Sequence, residues 1–275
     1  MPKHPNSDKN KEDCKKTAIR QPFYFPGALV KLRIAAGMAI ALILGAPGFG
    51  RDSALAQKNL PQLIKKVLPA VVTVVGFNAK GKVMRLGSGF FVDPQGHLIT
   101  NLHVIKGVAR AAVKLNRGQI YPVTEIVAVD AKADLVKLVV PLPGGFPHYL
   151  TVSATRPEAG EHIVVLGSPL GLEHTVTEGL ISAIRMIRNR GEFLQISAPI
   201  SPGSSGGPVL NMRGQVIGIA TFQVRGQNIN FAVPGNRVLT LRDGPPRPLP
   251  GHAPGAKSLP ARPGVNIPRP RMQVQ

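Results

Sequence analysis

Short apolar runs separated by turn residues recur along the middle of the chain. Valine, isoleucine and phenylalanine are frequent in them, and glycine, proline or asparagine stands at most of the joints. Runs of this length and spacing are typical of strands in a β-sandwich or barrel. The clearest are AVVTVVGF (70–77), LGSGFFVD (86–93), DLVKLVV (134–140), HIVVLGSP (162–169), TVTEGLISAIRMI (175–187) and NINFAVP (228–234). The pattern predicts an all-β body.

Helical spacing is confined to the two ends of this body. Before the first strand, apolar residues recur at intervals of three and four, which predicts one amphipathic helix over residues 60–68. A second short helix is predicted at residues 236–241. The expected order is therefore a helix, a long series of strands and a closing helix.

The first 56 residues differ from the body. Residues 1–33 are polar and basic, residues 34–50 are uncharged, and Ala54-Leu55-Ala56 follows as a small-residue cleavage motif. This order is typical of an export signal. The uncharged run is shorter than the about 20 apolar residues of a membrane-spanning helix, although an uncleaved signal anchor remains the alternative. We expect an exported protein of the periplasm or cell envelope, membrane-anchored if the segment is retained.

The last 32 residues, 244–275, are rich in proline, contain basic residues and have no acid. Such a composition buries too little apolar surface to order itself, so a disordered Pro/Arg-rich tail is predicted. Residues 57–243 are then the folded domain. Cys14 is the single cysteine, which excludes an intrachain disulfide.

The formal net charge of the chain is +20. A charge of this sign favours contact with an anionic membrane or envelope surface. No nucleic-acid-binding motif or interleaved aromatic pattern accompanies it, so we expect no specific nucleic-acid partner. No metal-ligand spacing is evident, and we expect neither a metal nor a cofactor.

The segment SPGSSGGPVL, residues 201–210, places serines among glycines between two apolar runs. A serine acts as a nucleophile when an imidazole accepts its proton, an acid orients that imidazole and donors stabilise the oxyanion. His103 lies where a predicted strand ends, and Asp134 is the first residue of another strand that is predicted to be buried. Asp130 is the nearest alternative to Asp134 as the acid that orients the imidazole. The order His–Asp–Ser is that of the trypsin-like proteases. The other histidines of the body are His97, His148, His162 and His174.

Several of these segments together resemble the HtrA/Deg (DegP-like) family of trypsin-like serine proteases. They are GSGFFVDPQGHLITNLHVI, DLVKLVV, SPGSSGGPVLNMRGQVIGI and INFAVP, with LPQLIKKVLPAVVTV resembling the start of that family's protease domain. The resemblance covers about residues 60–240. It implies a chymotrypsin/trypsin-like double β-barrel with a short N-terminal helix, and no segment resembling a PDZ domain follows it.

The resemblance also implies a role for individual residues. His103 corresponds to the general base, Asp134 to its orienting acid and Ser205 to the nucleophile. The backbone N–H groups of Gly203 and Ser205 correspond to the oxyanion hole, where glycine allows the backbone to turn its amides toward the substrate. Pro199 corresponds to the floor of the primary substrate pocket.

The expected function is that of an exported serine endopeptidase acting on unfolded or damaged proteins in protein quality control. Pro199 carries no carboxylate and Ile200 adds an apolar wall, so we expect cleavage after Val, Ile, Ala or Leu. The family resemblance further implies a homotrimer formed through the start of the domain. Two alternatives are a catalytically idle binding module with the chymotrypsin fold and a basic surface-binding protein.

Overall fold

The computed structural model describes residues 60–116, 118–167, 175–224 and 229–249. All of them belong to the unit Gly48–Gln275. The predicted export signal, His174 and residues 250–275 of the predicted tail lie outside the described residues.

Three short helices flank or interrupt the strands. Helix α1 comprises residues 60–67 and continues into a 3-10 turn at Leu68–Ala70, which confirms the predicted N-terminal helix. Helix α2 is Leu102–Ile105, and helix α3 is Asn236–Leu239 at the position predicted for the closing helix. Within the described part of the chain, none of the helices has the length and apolar content needed to cross a membrane.

The first half of the described chain forms an open sheet. Its strands are β1 (Val71–Phe77), β2 (Val83–Phe91), β3 (His97–Asn101), β4 (Arg110–Lys114), β5 (Ile120–Val123), β6 (Glu125–Asp130) and β7 (Leu135–Val139). The last strand of the described chain, β14 (Arg247–Pro248), returns to this sheet as its eighth member. The strand order is β14-β6-β7-β3-β2-β1-β4-β5.

The second half forms a closed barrel. Its strands are β8 (His162–Gly167), β9 (Thr175–Ile187), β10 (Gly191–Ile196), β11 (Pro208–Asn211), β12 (Val216–Val224) and β13 (Ile229–Pro234). They close in the order β10-β13-β12-β11-β8-β9, with antiparallel pairing between neighbours. The predicted all-β, chymotrypsin/trypsin-like double-barrel fold is confirmed.

The strands read as continuous apolar runs because many of them are buried on both faces. Successive side chains of a strand point to opposite faces. In β2, Phe90 packs into a cluster shared by the two halves, whereas Phe91 packs into the core of the open sheet. In β8, Val164 and Leu166 join the shared cluster, while Ile163 packs into the barrel core. The shared cluster therefore joins the two halves of the fold.

The chain stays ordered beyond the boundary predicted at residue 243. Strand β14 pairs with β6, placing Arg247 opposite Ile126, and the Leu249 amide donates to the Thr124 carbonyl at 3.0 Å. The Leu249 side chain is 2% exposed and packs into the core of the open sheet. The prediction of disorder from residue 244 is therefore wrong for residues 244–249. One leucine among prolines and charged residues supplies the burial that overall composition does not reveal.

Candidate active site

The register of two neighbouring strands brings His103 to Asp134. Strand β3 pairs with β7 so that Asn101 lies opposite Leu135. Asp134 immediately precedes β7, and His103 lies in α2, which immediately follows β3. The Leu102 amide donates to the Asp134 carbonyl at 3.0 Å. Two segments that are distant in sequence thus meet at the ends of two neighbouring strands in the interior of the open sheet.

The two side chains form a tight pair. His103 Nδ1 lies 2.5 Å from Asp134 Oδ2, and the His103 backbone N–H donates to Asp134 Oδ1 at 2.9 Å. The Asp134 side chain is 16% exposed, whereas that of His103 is 42% exposed. A carboxylate on Nδ1 favours the tautomer with the proton there, which leaves Nε2 as an acceptor. The arrangement can orient an imidazole as a general base.

Asp134 lies in the turn before β7 and adopts a φ of 59°. The predicted strand therefore begins one residue later, at Leu135. Non-glycine residues seldom occupy this left-handed region, although aspartate and asparagine do so more often than others. The Asn101 side-chain amide donates to the Asp134 carbonyl at 2.9 Å and helps to hold this conformation.

Ser205 lies in the loop between β10 and β11, and the open sheet holds this loop across the junction of the two halves. The Ser88 hydroxyl donates to the Gly203 carbonyl at 2.7 Å, and the Ser88 amide donates to the Ser205 carbonyl at 2.8 Å. The Thr100 hydroxyl in turn donates to the Ser88 carbonyl at 2.7 Å. A Cβ at Gly206 would lie 2.2 Å from the Ser88 carbonyl oxygen, so this approach requires glycine.

Thr221 contacts both Ser205 and Asp134. The Ser205 hydroxyl donates to the Thr221 carbonyl at 3.0 Å, and the Thr221 hydroxyl donates to Asp134 Oδ2 at 3.3 Å. In this conformation the Ser205 proton is directed at Thr221, so the hydroxyl must rotate to donate to His103. Hydrogen bonds of catalytic groups are often incomplete until substrate binds.

Two backbone amides of the loop are available to an anion. Among the described residues, neither the Gly203 nor the Ser205 N–H has an acceptor, whereas the neighbouring amides of Ser204, Gly206 and Gly207 are all hydrogen-bonded. Gly203 has a φ of 100°, a conformation that favours glycine. Unpaired amides on either side of a nucleophile can stabilise a developing oxyanion.

The two predicted pocket residues differ in environment. Pro199 is exposed, and its carbonyl accepts a hydrogen bond from Thr177 Oγ1 at 2.8 Å. Ile200 is 7% exposed and packs into the barrel core. Their contribution to a substrate pocket stays a prediction.

An aromatic cluster that the sequence pattern did not reveal follows Thr221 on the barrel. Phe222 stacks on Phe231 with ring centroids 4.9 Å apart and contacts Phe193 edge-on at 5.5 Å. The Arg190 guanidinium lies over the rings of Phe193 and Phe222 at 4.9 and 5.0 Å. These contacts fix the strand segment directly after Thr221.

The remaining histidines and the competing acid have other contacts. His97 Nδ1 pairs with Asp93 Oδ2 at 2.6 Å, and His148 contacts Phe146 edge-on. His162 is exposed at the start of β8. Asp130 Oδ1 accepts the Ala133 amide at 3.0 Å and so caps the turn before β7. In the described residues, no group of three or more His, Cys, Asp or Glu side chains is placed to hold a metal ion.

An open sheet and a closed antiparallel barrel that meet at this His–Asp–Ser arrangement define the trypsin-like peptidase class. In agreement, residues 87–219 match the trypsin-like peptidase domain family. The serine protease HTRA1A of Danio rerio is 34% identical over 191 residues, covering 65% of this chain and 40% of that protein. A probable periplasmic serine endoprotease DegP-like of Chlamydia pneumoniae is 37% identical over 171 residues, covering 58% and 35%.

A solved structure of a serine endoprotease is also similar to this chain. The serine endoprotease from Yersinia pestis superimposes with a TM-score of 0.58 at 30% identity, covering 66% of this chain and 64% of that one. These matches support an HtrA-family, trypsin-like protease domain in this chain. It spans about two fifths of the length of the curated relatives it matches.

Proposed function

We propose that this domain is a serine endopeptidase whose general base is His103, whose orienting acid is Asp134 and whose nucleophile is Ser205. The observation that carries the proposal is the contact chain His103–Asp134–Thr221–Ser205, which joins the two halves of the fold at one place. The unpaired amides of Gly203 and Ser205 supply the oxyanion hole.

The reaction starts when the Ser205 hydroxyl rotates from Thr221 toward His103. Nε2 accepts its proton as Oγ attacks the substrate carbonyl, and the Gly203 and Ser205 amides stabilise the oxyanion. The imidazolium, stabilised by Asp134, then gives its proton to the leaving amine as the C–N bond breaks. Water hydrolyses the acyl-enzyme with His103 again as the base.

The proposed substrates are unfolded or damaged proteins, because an unfolded chain presents backbone amides and carbonyls that a folded protein keeps paired in its own hydrogen bonds. Pro199 and Ile200 place no acidic group near the predicted primary pocket, which favours cleavage after Val, Ile, Ala or Leu. An exported, periplasmic or envelope location is proposed from residues 1–56, and it agrees with the Chlamydia pneumoniae relative, a probable periplasmic serine endoprotease. A homotrimer formed through α1 also stays a proposal.

A catalytically idle binding module is the second candidate. One observation favours it: the Ser205 hydroxyl donates to the Thr221 carbonyl instead of to a histidine. The unpaired Gly203 and Ser205 amides favour the enzyme, since a binding module has no use for two vacant donors beside a serine.

The test is digestion of unfolded casein by the purified chain and by its Ser205→Ala variant, with mass-spectrometric mapping of the cut sites. Removing a triad member costs roughly 10⁶-fold in turnover, so the variant should show no cleavage. Cuts should follow small or medium aliphatic residues. Wild-type turnover by Ser205→Ala would contradict the nucleophile, and dominant cleavage after Lys, Arg, Asp or Glu would contradict the pocket.

A further inference from the structure

Five basic residues gather at the end of the open sheet beside His103. Two lie on the β1–β2 hairpin, one on β2, one directly after α2 and one at the start of β4; we call this set the basic rim. Its members are Lys80, Lys82, Arg85, Lys106 and Arg110. Four of them are exposed, and Arg110 is partly exposed.

The two segments that carry the basic rim lie side by side. The Ala109 amide donates to the Phe77 carbonyl at 2.8 Å. A Cβ at Gly81, in the hairpin, would lie 3.4 Å from an Arg110 guanidinium nitrogen, so that side chain extends along the hairpin. A Cβ at Gly76 would lie 3.2 Å from the Arg85 Cβ and 2.5 Å from Val108. The two segments therefore carry the basic rim on neighbouring parts of the chain.

This surface borders the candidate active site. Gly87 packs against the nucleophile loop, since a Cβ there would lie 3.0 Å from the Ser205 carbonyl oxygen. Arg85 is two residues away on the same strand, so its side chain faces the same side about 7 Å further along. Lys106 follows His103 by three residues at the end of α2.

The part of the chain that the structure describes does not compensate the charge of the basic rim. Among the described residues, none of its five members has a carboxylate within ion-pair distance. Between residues 60 and 124 the single acid is Asp93, which pairs with His97. Elsewhere in the described chain, Lys137 pairs with Asp243 and Arg156 with Glu192. An uncompensated cluster creates a local positive potential that attracts anionic groups.

The position of the basic rim determines which part of a substrate it meets. The substrate carbonyl is held at the Gly203 and Ser205 amides, and the leaving amine must reach His103 to receive its proton. Chain on the leaving side of the scissile bond therefore runs past α2 toward Arg85 and Lys106. An extended chain advances about 3.3–3.6 Å per residue, so the second and third residues after the scissile bond reach this surface.

We propose that the basic rim binds carboxylate side chains on the leaving side of the scissile bond, and that the enzyme selects substrates with acidic residues at the second and third positions after it. This inference rests on the proposed peptidase function. It concerns the leaving side and is independent of the residue preferred at the cleaved position.

The test compares two internally quenched peptides that share every residue except the second and third after the cleaved bond. One carries Asp-Glu there and the other Asn-Gln. At low ionic strength, kcat/KM for the acidic peptide should exceed that for the amide peptide about three- to tenfold. The ratio should approach one in about 1 M NaCl, where the Debye length is ~3 Å. A ratio of one at low salt contradicts the proposal.

Two triple variants that lose the same charge show which surface causes the preference for the acidic peptide. The triple variant Arg85→Gln, Lys106→Gln, Arg110→Gln should abolish the preference for the acidic peptide. The control triple Lys65→Gln, Lys66→Gln, Arg213→Gln removes the same charge near α1 and the β11–β12 turn, where Gly214 packs against Leu63. It should keep the preference. Equal loss in both triples would show a general effect of net charge and overturn the proposal.

A binding assay with anionic and neutral phospholipid vesicles separates the substrate from a lipid surface. Vesicle binding that depends on the basic rim while the peptide ratio stays at one would overturn the proposal in favour of a membrane contact. Cleavage of the amide peptide with no preference rejects only this inference. No cleavage of either peptide rejects the proposed function, and this inference with it.

Discussion

The open sheet and the closed barrel present their candidate catalytic groups in different states of alignment. The sheet supplies His103 from α2, directly after β3, and Asp134 from the turn directly before the adjacent strand β7, and the two residues are already joined by two hydrogen bonds. The barrel supplies Ser205, whose hydroxyl is turned toward Thr221. The pairing register of neighbouring strands fixes the position of two catalytic groups that belong to one sheet. The alignment of catalytic groups that belong to different halves of the fold depends instead on a few contacts between the halves. Substitutions in the open sheet and at its junction with the barrel test this difference.

Among three substitutions outside the nucleophile, the largest effect is expected within the open sheet, from Asp134→Asn. The amide can accept the His103 backbone N–H, so the local geometry is kept, but it favours the wrong imidazole tautomer. In the trypsin-like template that change lowers kcat about 10⁴-fold, and we expect a similar loss here. Steady-state hydrolysis of a quenched peptide measures it. Asp130→Asn is the matched control, because Asp130 caps a turn and is not the assigned acid. A loss of kcat below tenfold for Asp134→Asn would contradict the assignment of Asp134 as the orienting acid.

A smaller effect on stability is expected where β14 joins the open sheet. Leu249→Ala removes a side chain that is 2% exposed and should lower the free energy of unfolding by about 2–5 kcal/mol. Leu239→Ala serves as the control, since Leu239 is 55% exposed. Urea denaturation followed by circular dichroism gives both values. Equal stability of the two variants would show that residues 244–249 do not belong to the folded domain.

The smallest effect is expected at the junction, from Ser88→Ala. This change removes the hydroxyl that donates to the Gly203 carbonyl and leaves a buried acceptor unpaired. We expect kcat to fall about tenfold with little change in KM, because the loop positions the oxyanion donors. Ser153→Ala is the control: Ser153 is also buried, and its hydroxyl accepts the Thr155 amide at 3.2 Å. Equal kcat in the two variants would show that Ser88 does not position the loop that carries the oxyanion donors.

The sequence predicts secondary structure and local motifs well, but it predicts contacts between strands that are distant in sequence poorly. The apolar runs, the first helix and the order of His103, Asp134 and Ser205 were all visible as periodicity or motif. The contacts of Ser88 and Thr221 were not visible: Ser88 lies in a segment that resembles the family, but the resemblance gives it no role, and Thr221 lies just beyond the segments that resemble the family. Their contacts depend on how the two halves of the fold pack together.

The same limit applies to conformations and to weakly apolar segments. The left-handed backbone of Asp134 and the Ser205 hydroxyl direction are set by neighbours in three dimensions. Strand β14 is hidden in a Pro-rich segment because pairing with β6 and one buried leucine suffice to order it.

Covalent labelling tests the central claim, that Ser205 is activated as a nucleophile, most directly. The purified chain is treated with a fluorophosphonate, digested and mapped by mass spectrometry. The account predicts one adduct, on Ser205, that is lost in His103→Ala and retained in His97→Ala, whose histidine pairs with Asp93 away from the site. No adduct, or an adduct on Ser201 or Ser204, would contradict it.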